Sequence, residues 1–290
     1  MRWQGRRQSE NVEDRRGQSA AGGARRGGVM PFGIGTIVIA GIVWFLGGNP
    51  MQFLAGQMQN APRATQTRRQ APRSAQEEQM AQMTKVILAD TEETWARIFQ
   101  SRGERYRPPT LVLFSGQVRS ACGFQSSAVG PFYCPADSKV YIDLSFYDEL
   151  HRKFGAPGDF AQAYVLAHEV GHHIQNLIGV SEQVHAQRRR SSKADANALS
   201  VRQELQADCF AGVWANHAST QRQLLEQGDV EEGLRAAAAI GDDQIQKKSQ
   251  GYTVPESWTH GSSEMRVRWF NKGIKSGDIN MCDTFNARTL

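Results

Sequence analysis

Apolar residues recur at helical spacing from Phe160 through Ala163, Tyr164, Ala167 and Val170 to Ile174 and Leu177, which predicts an amphipathic helix over about 159–178. Asp159, with Gln162 three residues on, has a capping-box pattern at its start, and Gly179 fits a C-terminal stop. A second helix is expected over about 194–218, then helical stretches at 221–225 and 230–248 and a short last helix at 265–272. Ahead of the first helix, 130–135 and 139–144 flank the turn-prone Ala136-Asp137-Ser138 and read as a β-hairpin. Thr110–Phe114 is a further expected strand. Strands followed by long helices imply an α+β fold, mainly helical, with a small sheet.

A different pattern precedes these elements. No residue from 27 to 62 carries a charge, and 29–48 is an apolar run of twenty residues. As a helix it would span about 30 Å, the thickness of a hydrocarbon core. One transmembrane helix over 28–49 is therefore expected. Arg2, Arg6, Arg7, Arg15, Arg16, Arg25 and Arg26 precede it, and the first basic residue beyond it is Arg63. The positive-inside rule then makes 1–27 a cytoplasmic basic leader and carries the chain beyond the run out of the cytoplasm. The run is long for a cleaved signal, and no small-residue cleavage pattern comes after it. Residues 50–85, rich in Gln, Ala, Arg and Met, read as a linker whose 76–83 end has helical character; 86–290 are enough for one substantial core.

Charge narrows the partners. The chain is +5 overall, but leader and linker hold the excess, leaving the remainder at about −2. A nucleic-acid-binding domain carries its basic patch on the folded part, so nucleic acid is not an expected partner. Four cysteines, Cys122, Cys134, Cys209 and Cys282, all lie beyond the apolar run, and an even count in an oxidising compartment suggests two disulfides. Three pairings and buried thiols remain open; Cys122 with Cys134 would close a short loop and leave Cys209 to tie its helix to the C-terminus. The absence of any Cys-x-x-Cys pair argues against a cysteine zinc site.

The chemistry lies in His168-Glu169-Val170-Gly171-His172. Residues four apart share a helix face, so His168 and His172 can bind one metal ion while Glu169 reaches a water on it as general base. The second helix carries Glu204 and Asp208, again four apart. A catalytic zinc takes three protein ligands and keeps one position open; Glu204 fits as the third. Asp208, one turn on, fits as the outer carboxylate that orients a ligating histidine. His173 faces another side of the helix and is expected in packing.

These residues carry a resemblance. The His-Glu-x-x-His and Glu-x-x-x-Asp pair is similar to the gluzincin pattern of zinc peptidases. More closely, the opening Met1-Arg2-Trp3-Gln4-Gly5-Arg6-Arg7, the run from Ala167 to His173, Gln206-Ala207-Asp208-Cys209-Phe210-Ala211-Gly212, and His260-Gly261-Ser262-Ser263 leading into Cys282-Asp283-Thr284-Phe285 resemble a bacterial family of neutral zinc metallopeptidases. The resemblance implies a zincin-like endopeptidase with Zn2+ as cofactor and a protein or peptide substrate. With the apolar run it implies a single-pass protein of the bacterial inner membrane, its catalytic domain on the extracytoplasmic side. His260, in the stretch resembling the motif after the catalytic helices, is the favoured donor to a developing oxyanion over Tyr164 and Tyr252. The spacing from His172 to Glu204 is longer than in thermolysin-like enzymes because of the polar insert 181–197. Two alternatives share the metal site: a non-proteolytic zinc-binding membrane scaffold or chaperone, and a zinc amidase acting on cell-wall material. Sequence names no oligomeric state.

Overall fold

A computed structural model describes residues 1–18 and 73–290. Ser74 accepts the Glu77 amide and starts α1 (Ala75–Ser101). Ala81, Met83 and Thr84 are already buried on it, so the folded body takes in residues assigned by sequence to the linker. Glutamines between the apolar positions hide that stripe in the sequence.

Six strands are present, β1 (Val12–Asp14), β2 (Thr110–Phe114), β3 (Gln117–Ser120), β4 (Gly123–Ser126), β5 (Phe132–Cys134) and β6 (Lys139–Asp143), of which β2, β5 and β6 are the expected ones. The main sheet has the order β1-β2-β6-β5, parallel except for the edge strand β5, which forms the expected hairpin with β6. Strands β3 and β4 pair separately. Four of the five residues of both β2 and β6 are buried, which explains their unbroken apolar runs.

Seven helices complete the described body: α2 (Ser145–Arg152), α3 (Asp159–Leu177), α4 (Val180–Arg188), α5 (Lys193–Thr220), α6 (Asp229–Ala239), α7 (Asp242–Gln250) and α8 (Ser263–Ser276). The mainly helical α+β class is as expected, and α4 accounts for the long spacing between His172 and Glu204. Helices α3, α5 and α8 pass unusually close. A Cβ on Gly171 would lie 2.9 Å from the Ala207 carbonyl oxygen, and one on Gly273 would lie 2.0 Å from that of Cys209. These glycines let backbones touch, which brings α3 and α8 against α5 and fixes the spacing of what they carry. Both disulfides are present, Cys122–Cys134 and Cys209–Cys282.

Several expectations are corrected. Asp159 is the first residue of α3 and not its cap: Gly158 precedes it at φ 115°, and the Glu232 carboxylate of α6 accepts the Phe160 N–H. Residues 221–225 form no helix. The stretch 230–248 is two helices, broken at Gly241, where a Cβ would meet the Ser263 amide nitrogen at 2.4 Å.

The largest correction concerns the leader. Residues 1–18 are not a separate segment: Trp3 enters the core, β1 joins the sheet, and Arg16 is 2 % exposed, paired with Asp14, Glu77 and Glu78. Arg6 donates to the carbonyls of Arg222 and Gln223, and Arg7 to that of Ala89. Those arginines are partners in a fold, which a count of basic residues along the sequence does not reveal. The expected transmembrane helix over 28–49 lies outside the described residues. No described helix is long and apolar enough to cross a membrane.

Candidate functional site

His168, Glu169 and His172 sit in the middle of α3, where the apolar stripe buries the helix and turns its polar positions toward α5. On α5, Glu204 lies opposite: its Oε2 is 3.1 Å from His168 Nε2 and its Oε1 3.5 Å from His172 Nε2. One ligand atom from each of the three lies within 4.8 Å of the others. Two imidazole nitrogens and a carboxylate oxygen at this separation are a donor set suited to zinc. They lie on a cleft of about 650 Å³, which Glu169 also lines.

The ring orientations are held from behind. His168 Nδ1–H donates to Asp208 Oδ1 at 2.8 Å, leaving Nε2 toward the cleft. Asp208 is fully buried and accepts from Arg266 Nε at 2.8 Å, Arg266 Nη2 at 2.9 Å and the Tyr164 hydroxyl. His172 Nδ1–H donates instead to the Gln175 amide oxygen at 2.9 Å, and Gln175 in turn donates to the Gln203 carbonyl and the Gln206 side chain.

The electrostatics reflect this layout. Burial opposes a charge on His168, but Asp208 and Glu204 overcome it and push the ring up to about 10. Burial likewise opposes the Asp208 carboxylate, and Arg266 and His168 outweigh it, holding the group at about 2. Glu204 is driven well below the usual carboxylate range, against burial, by His172 and His168. Ionised Glu204 and Asp208 thus hold positive charge at the two imidazoles, a field that suits a cation.

The remaining sequence candidates separate. His260 is half-exposed at the cleft's lip, its backbone N–H and Nδ1 bonded to Asp242 at 2.7 and 3.2 Å. Tyr164 spends its hydroxyl on Asp208, and Tyr252 is 62 % exposed and not part of the cleft. His173 is buried, with Nε2–H donating to the Arg107 carbonyl and Nδ1 accepting from Tyr133; burial pushes it down to about 4. Sequence reasoning missed Arg266, Gln175 and Asp242. Gln175 lies three residues from His172, a helical neighbour that the pattern offered; Arg266 and Asp242 have no local signal.

A second group of carboxylates, Asp159, Asp229 and Glu232, also clusters. The Met1 ammonium lies 3.1 Å from Asp159 and 3.5 Å from Asp229, so this cluster already faces a cation of the chain itself.

Comparison with known proteins places the whole chain and not its individual residues. The family described as "Putative neutral zinc metallopeptidase" matches residues 1–285. An Escherichia coli K12 relative, "Uncharacterized protein YpfJ", is 50 % identical over 288 residues, covering 98 % of this chain and 99 % of that protein. A Mycobacterium tuberculosis H37Rv relative, "Uncharacterized protein Rv2575", is 49 % identical over 195 residues, 64 % of this chain and 65 % of its own. No solved structure matches. With its match running from the first residue almost to the last, the chain belongs to the family so described.

Proposed function

We propose that the protein is a zinc endopeptidase, with His168, His172 and Glu204 as metal ligands and Glu169 as general base. The observation that carries this reading is the convergence of those three donors beside Glu169 on one cleft. A bound zinc supplies Lewis acidity toward a carbonyl and acidifies a water. Glu169 accepts a proton from the attacking water and returns it to the leaving amine. Asp208 fixes the His168 ring and Gln175 the His172 ring, so both present Nε2. His260, steadied by Asp242, offers the other ring nitrogen as donor to the developing oxyanion.

The substrate is an extended polypeptide. Phe132 and Tyr133 of the edge strand β5 line the cleft, and an edge strand can hold a peptide through its main chain with little regard to side chains. The uncharged run 29–48 and the two disulfides support a site of action at the extracytoplasmic face of a membrane, with that run as the attachment to lipid.

The test incubates zinc-loaded full-length protein, wild type and Glu169→Gln, with a denatured protein mixture and reads new termini by mass spectrometry. New termini from wild type alone are expected. Equal zinc in both proteins with termini from neither would reject the peptidase reading and leave a scaffold or a cell-wall amide hydrolase.

A further inference from the structure

The described residues break off at 18 and resume at 73, and these two points are held together. Arg73 donates to Asp14 at 3.1 Å and to the Arg16 carbonyl at 3.3 Å. Arg16 bonds Asp14 at 2.7 Å, Glu78 at 3.1 Å and Glu77 at 3.3 Å. Upstream, β1 runs beside β2 with Val12, Glu13 and Asp14 opposite Leu111, Val112 and Leu113. The Leu111 amide donates to Asn11 and the Arg15 amide to Leu113. Glu13 reaches past β2 to Lys139 on β6, and Glu92 of α1 receives Ser9 and Asn11.

Such a joint is hard to open. Arg16 is a buried cation whose counter-ions come from its own segment and from the first turn of α1, so pulling the segment away would leave that charge without partners. Trp3 and a parallel ladder add to it. A helix crossing a bilayer once separates its flanks by about 30 Å of hydrocarbon. Hydrogen bonds near 3 Å cannot be made across that distance.

We propose that residues 1–18 are a permanent part of the catalytic body, so that residues 18 and 73 lie on the same side of the membrane as the active site. This goes beyond the peptidase reading and does not depend on turnover. It also overturns the topology given by the positive-inside rule, which assumes that the leading arginines are free to stay behind in the cytoplasm. Arg6, Arg7 and Arg16 are committed to the fold instead. Upstream of the joint, Arg6 and Arg7 tie the same segment to the 222–223 carbonyls and to Ala89 of α1.

The test uses full-length protein in intact bacterial cells. Single variants Gln8→Cys and Lys248→Cys, both at exposed positions away from the cleft, are treated with a membrane-impermeant maleimide before and after permeabilisation. The two sites are expected to label alike, both before permeabilisation or both only after it. Labelling of one site in intact cells and of the other only after lysis would overturn the proposal. Hydrogen exchange on the purified full chain checks the joint itself: the Leu111 and Arg15 amides are expected to be protected, and exchange at the rate of an open chain would equally overturn it.

Discussion

The two histidines of α3 stand one turn apart, face the same carboxylate, and are braced by unlike chemistry. Behind His168 lies a charged assembly, Asp208 between an imidazole and the Arg266 guanidinium, buried throughout. Behind His172 lies a chain of neutral amides, Gln175 to Gln206 and on to the Cys282 carbonyl. An ionised partner makes a stronger, shorter bond and raises the basicity of the ring, whereas an amide only orients it. Identical positions in a motif are therefore not equivalent, and the strength of a ligand is set by residues the motif does not mention.

The largest test of that contrast is Asp208→Ala. It leaves Arg266 buried without a counter-ion, and it should lower stability by about 3–5 kcal/mol and weaken zinc by about 10–100-fold. Denaturant unfolding and competition with a chelator measure the two effects. Gln175→Leu removes three neutral bonds, to His172, the Gln203 carbonyl and Gln206, but strands no charge, so it should cost about 1–3 kcal/mol of stability and weaken zinc less than Asp208→Ala does. A Gln175→Leu protein as impaired as Asp208→Ala would break the comparison.

The smallest effect is at the exposed lip. Burial opposes the charged form of His260, and the bond to Asp242 outweighs it, so the ring titrates above the ordinary histidine value of about 6.5. A histidine raised in the folded state contributes stability that is fully present below about pH 6.5 and fades as pH rises through its folded value. Monitored at the His260 ring by NMR, Asp242→Asn should bring the titration down toward the ordinary value. No change would show that Asp242 holds only the backbone.

What the sequence made legible was local. His168, Glu169 and His172, and again Glu204 and Asp208, were readable because four residues along a helix return to one face. The β5–β6 hairpin was readable from its turn. Arg266, 58 positions from Asp208, was not, because nothing near it on the chain refers to a carboxylate. The break at Gly241 was invisible for the same reason: it is imposed by Ser263, at the start of α8, and not by any disruption of its own apolar pattern. The leader was misread because charge along the sequence has the same appearance whether an arginine faces a lipid headgroup or fills a slot in a fold. Only the packing of Trp3 and Arg16 distinguishes the two.

The bond between Cys209 and Cys282 spans 73 positions, including α6, α7 and the lip of the cleft. Under the proposed peptidase function, this bears on the protein's own fate. A cut anywhere inside that span leaves the two pieces covalently joined, with Glu204 on one and Arg266 on either side of the break according to where it falls. Nicked molecules would run with intact ones on a non-reducing gel and part only under a reductant. Self-digestion within that span would thus be a silent event, its extent counted only after the sulfur bond has been opened.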